Sequence, residues 1–136
     1  MRLSKTVIAI SVLAGTALAL PALAIQDTPV QIGGVDTVCT GVGSGKDDPR
    51  WSGYPVKLVL ATPGGKDLAG AHVTLKQAGK VLVETDCDAP WILFSPQPGD
   101  YNLTATIDGQ SRSTNVSVGK AQKTVTLTFA RQTAQQ

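Results

Sequence analysis

Histidine and methionine each occur once in this chain of 136 residues, cysteine twice, and Phe, Tyr and Trp two times each. Each scarcity excludes a chemistry. With His72 alone, no multi-histidine metal centre can be built. No Cys-x-x-Cys spacing is present, so a dithiol redox motif has no support. No cluster of Lys and Arg is dense enough to neutralise a row of phosphates, which argues against nucleic acid as a partner. No long 3.6-residue apolar periodicity appears, so the fold is not built from amphipathic helices. Internal repeats are absent too.

The one long apolar run stands at the start. Arg2 and Lys5 precede an apolar stretch from Thr6 to Leu20, and Pro21-Ala-Leu-Ala24 offers small residues where a signal peptidase reads. A membrane span needs about 20 apolar residues, more than this run supplies. Residues 1–24 are therefore expected to be a secretory signal, with a periplasmic or secreted product. No cysteine follows closely, which speaks against a lipoprotein. The chain has 12 Lys+Arg and 10 Asp+Glu, and loss of Arg2 and Lys5 leaves ten of each. The mature chain is then neutral.

What remains reads as one all-β domain. Its organising stretch is Trp91 to Gly109: a short buried strand, a corner at Pro96, Pro98 and Gly99, then a long alternating strand. Tyr101, Leu103, Ala105 and Ile107 share one face, and Asn102, Thr104, Thr106 and Asp108 the other. The same alternation puts Val56, Leu58 and Leu60 inward. It also places Ala71, Val73 and Leu75 inward with His72 outward, and Val125, Leu127 and Phe129 inward. Seven or eight short strands between turn signals predict an antiparallel β-sandwich over 35–129, with a barrel as second choice. Residues 25–34 read as a flexible lead-in and 130–136 as a polar tail.

Cys39 and Cys87 in an exported chain are expected to pair. The bridge closes a loop of nearly 50 residues, worth on the order of 4 kcal/mol in the chain-entropy model. Gly41-Val-Gly-Ser-Gly-Lys46 suggests a phosphate loop but fails its pattern, because Asp47 follows the lysine. Asp47, Asp48, Asp86 and Asp88 lie in turns, where aspartate more often caps its own backbone than binds calcium. Asn102-Leu-Thr104 and Asn115-Val-Ser117 fit a glycosylation acceptor and matter only in a eukaryotic host.

The most informative residues are Arg50, Trp51, Tyr54 and Trp91. Through the proposed bridge they are expected at one end of the sandwich, with Asp86 and Asp88 around them. The aromatics either plug that end, the commoner use of such side chains, or form with Arg50 a patch that grips a partner.

Three segments carry a resemblance. Gly64-Gly-Lys-Asp-Leu-Ala-Gly-Ala-His-Val-Thr-Leu75, Thr85-Asp-Cys-Asp-Ala-Pro-Trp91 and Pro98-Gly-Asp-Tyr-Asn-Leu-Thr-Ala105 resemble the opening, turn and corner motifs of carboxypeptidase regulatory-like domains. The Cys-Thr-Gly-Val-Gly and Asp-Asp-Pro-Arg-Trp segments resemble a subgroup of small exported proteobacterial proteins built on that domain. Ala89 stands where the family usually has Gly and Trp91 where it has Phe, and the cysteine pair is added. The resemblance implies a transthyretin-like (prealbumin-like) β-sandwich, generally without an active site.

Related sandwiches include two enzyme families, and the residues oppose both. The 5-hydroxyisourate hydrolases carry several catalytic His and Arg residues and end in Tyr-Arg-Gly-Ser, whereas this chain ends Thr-Ala-Gln-Gln136. Intradiol dioxygenases need two histidines on iron. The expected function is a non-catalytic binding or accessory module without cofactor or metal. Its expected partner is an envelope protein, alternatively a glycan or envelope polymer. A small hydrolase is the alternative of a different class.

Overall fold

The chain folds as an all-β sandwich over residues 26–130, the residues that the computed structural model describes. Its strands are β1 (Val30–Ile32), β2 (Val35–Thr40), β3 (Val56–Ala61), β4 (Ala71–Gln77), β5 (Lys80–Cys87), β6 (Trp91–Ser95), β7 (Gly99–Ile107), β8 (Gln110–Val118) and β9 (Lys123–Thr128). They form two sheets, ordered β1-β2-β6-β3-β9 and β5-β4-β7-β8. The expected signal segment and the tail from residue 131 lie outside the described residues.

Two details depart from the sequence reading. The described residues hold nine strands, because part of the expected lead-in pairs with the sheet. Gly33 and Gly34, at φ +58° and +80°, close a tight turn that folds Val30–Ile32 back onto β2. In addition, β9 pairs with β3 in parallel, Val56 opposite Lys123 through Ala61 opposite Thr128. Every other strand pair is antiparallel.

Between the sheets lies the core that the alternation outlined. Val56, Leu58, Leu60, Val73, Leu75 and Leu103 are fully buried there, and Phe129 closes one side. Each such side chain contributes about 1.5–3 kcal/mol by leaving water. Cys39 of β2 and Cys87 of β5 meet inside this core in a disulfide that ties one sheet to the other, Cα to Cα 5.8 Å. Tyr101 is buried at the Pro/Gly corner.

β2 and β6 bury side chains on both faces. Ile92 and Phe94 enter the core, while Val38 and Leu93 are equally buried on the far side. A sheet face that buries Val and Leu must be covered, and residues 42–54 cover it.

Candidate functional site

Two 3-10 turns, Gly43–Asp47 and Pro49–Gly53, build the cover. Pro49 opens the second, and the Asp48 carboxylate accepts from Arg50 N at 2.9 Å, an N-cap that fixes where the turn starts. Trp51 is thereby lowered onto Val38 and Leu93, which face each other across β2 and β6. Only 4% of its surface stays exposed. Its indole Nε1 donates to Gly45 O at 2.7 Å, so the burial strands no donor. Tyr54 meets the indole edge-on, ring centroids 5.9 Å apart. From the β8–β9 link, Gln122 Nε2 donates to the carbonyls of Trp51 and Tyr54 at 2.7 and 2.9 Å.

Arg50 lies over the outer side of this plug. Its guanidinium is 4.6 Å from the Trp51 ring centroid and forks onto Asp48, Nε to Oδ1 at 3.1 Å and Nη2 to Oδ2 at 2.7 Å. That hydrogen bonding holds the Asp48 carboxyl below its ordinary range and lifts Arg50 further. Burial, then the nearby Asp36 charge, raise the Tyr54 phenol, with Arg50 opposing them.

Trp91 sits across a cavity of about 210 Å³ from Trp51, with Lys46, Asp48, Lys57 and Gln122 also lining it. Gly41, at φ +105°, runs flat against one indole face. A Cβ at that position would come within 2.6 Å of the ring, so no other residue fits. Lys57 Nζ also lies over this ring, 3.5 Å from its centroid. Lys46 reaches the same ring at 5.8 Å and pairs with Asp67 at 2.8 Å. Next to this cavity, Gly41, Val42, Leu68, Ala69 and Pro90 line an apolar slot of about 320 Å³, with the Lys46–Asp67 pair at its rim.

The structure gathers Arg50, Trp51, Tyr54 and Trp91 as expected, but on the outer face of a sheet rather than at an end of the sandwich. Asp86 is not with them. β5 continues through Cys87, and since the cysteine points inward, its neighbour Asp86 points out of the opposite sheet. Asp88 is exposed in the link from β5 to β6 and makes none of the layer's contacts. Lys57, Lys46, Val42 and Leu68 were not anticipated. The run Trp91-Ile-Leu-Phe94 carried the signal, since an unbroken apolar strand is buried on both faces and implies a cover.

On the opposite sheet, His72 lies between two carboxylates of β5, Nδ1 to Asp86 Oδ1 at 2.7 Å and Nε2 to Glu84 Oε1 at 2.9 Å. The Asp86 bond, with help from Glu84, raises its pKa against a smaller desolvation effect. Thr106, its partner on β7, bonds instead to Ser111 at 2.8 Å. Both ring nitrogens being taken, no nitrogen is left to act as base toward a hydroxyl. Among the described residues no group of three His, Cys, Asp or Glu side chains is arranged to hold a metal ion.

No protein-family model matches the chain, and no curated protein matches it.

Proposed function

We propose that this protein is an exported, non-catalytic binding module that docks an envelope protein through the layer laid over its five-stranded sheet. The observation that carries the reading is the apolar slot beside Val42. Val42 is 51% exposed, more than any other large apolar side chain among the described residues. Lys46 and Asp67 line the slot with it, and Lys57, Asp47 and Asp48 line the cavity alongside. An apolar centre inside a balanced polar rim is the anatomy of a protein interface. The disulfide, the Trp51 plug and the Asp48 cap hold these loops rigid, which lowers the ordering cost of binding.

Export is supported by Arg2, Lys5, the apolar run and Ala22-Leu-Ala24, and a disulfide suits an oxidising compartment. The resemblance to carboxypeptidase regulatory-like domains and the doubly occupied His72 both favour binding over catalysis.

A photo-crosslinking residue at Val42 tests this against the same residue at Val81, the other exposed large apolar side chain, on β5. In envelope extract Val42 should capture one defined protein that Val81 does not. Equal capture from both positions would contradict the reading.

A further inference from the structure

A second concave surface lies away from the layer just described, a groove of about 600 Å³ on the four-stranded sheet. β4 contributes Lys76, the Ala78–Gly79 turn closes that side, β7 gives Asp100 and Asn102, and β8 gives Asn115 and Ser117. Its volume is that of a small-ligand site.

The polar groups of the groove hold one another in place. Asn102 Nδ2 donates to Asn115 Oδ1 at 3.1 Å and to Thr114 O at 3.3 Å, while Asn102 Oδ1 accepts from Thr104 Oγ1 at 3.1 Å. Ser117 Oγ donates to Asp100 Oδ1 at 2.6 Å. These bonds leave three groups without a protein partner among the described residues: Asn115 Nδ2, Lys76 Nζ and Asp100 Oδ2. They are two donors and one acceptor, and the Asn115 and Asp100 side chains are already held by their other bonds.

Which ligand suits them follows by elimination. One ammonium balanced by one carboxylate does not attract a polyanion. A single carboxylate without histidine is too few ligands for a divalent cation. Of its apolar side chains Ala78, Tyr101 and Val116, the last two are already buried in the core, so a lipid chain gains little. Adjacent donors and acceptors on a neutral background match groups that both donate and accept at neighbouring positions. Sugar hydroxyls are such groups.

We propose that this groove binds a neutral glycan, Asp100 accepting from one hydroxyl while Asn115 and Lys76 donate to its neighbours. The site is independent of the docking layer, and neither reading needs the other.

The test is a titration of the oxidised, isotope-labelled protein with four neutral probes, maltotetraose, cellotetraose, mannotetraose and chitotetraose, followed by backbone amide NMR shifts. At least one probe should give saturable shifts confined to residues 76–79, 100–102 and 115–117, with residues 42–54 unmoved. Lys76→Met and Asn115→Val should each weaken that probe about tenfold, the scale of a lost hydrogen bond. Their unchanged circular dichroism would show that the fold is kept. Asp100→Asn, which replaces an acceptor by a donor, should do the same. Absence of saturable shifts with all four probes overturns the proposal, and so does binding that the three variants leave intact.

Discussion

Tyr101 donates its hydroxyl to the main-chain carbonyl of Gln97 at 2.6 Å, pinning the start of β7 to the corner that precedes it. The ring is 4% exposed among core residues of both sheets, while Gln97 is exposed, so the bond lies at the edge of the core. Tyr101→Phe keeps the packing and removes this hydrogen bond, which should cost about 1 kcal/mol. Tyr101→Ala also opens a cavity and should cost about 3–5 kcal/mol. Urea unfolding of both variants checks the order, and equal small losses would contradict it.

The disulfide should act as one cross-link. Cys39→Ser and Cys87→Ser each remove the same tie between β2 and β5 and should each lose on the order of 4 kcal/mol. The double variant should then be little worse than either single one. Additive losses would mean that the two sulfurs have separate roles.

Trp51→Ala should destabilise strongly, by about 3–5 kcal/mol, since it exposes Val38 and Leu93 and removes the Gly45 hydrogen bond. A melting temperature close to that of the unaltered protein would show that the layer does not depend on its plug.

Much of this arrangement is legible in the sequence because a strand advertises its buried face by alternation. β3, β4, β7 and β9 were placed that way, with Val56, Val73, Tyr101 and Leu127 facing the core. The Cys39–Cys87 bridge followed from pairing two thiols in an exported chain. β1 was missed because three residues, Val30-Gln-Ile32, are too short to show a period. The parallel β3–β9 pair was missed because strand order is decided by tertiary packing. Asp86 was misplaced for a local reason: Asp86-Cys-Asp-Ala-Pro90 has turn composition, yet β5 extends two residues into it. That extension moves the carboxylate onto the outer face beside His72. Trp51 as a plug was one of two readings left open by its composition. The structure buries Trp51 against Val38 and Leu93, on the face away from the core, as a plug would be.

Held between Asp86 and Glu84, His72 should make stability depend on pH. Its pKa is raised from 6.5, so its contribution is complete below the unfolded value and fades as pH rises through the higher folded one. The unaltered protein should lose its advantage over His72→Gln on going from mildly acidic to alkaline conditions. The side chain is 44% exposed, so solvent screening keeps the effect below about 1 kcal/mol. Paired urea titrations across that range would read it, and an advantage growing toward alkaline pH would contradict the geometry.

The docking layer is tested most directly by the affinity of the protein captured at Val42 for single variants of this chain. Val42→Asp places a charge at the centre of the slot and should weaken binding about tenfold or more. Its melting temperature should stay unchanged, because Val42 is half exposed. Val81→Asp should bind as the unaltered protein does. Binding undiminished in Val42→Asp, or lost instead in Val81→Asp, would contradict a docking face on this layer.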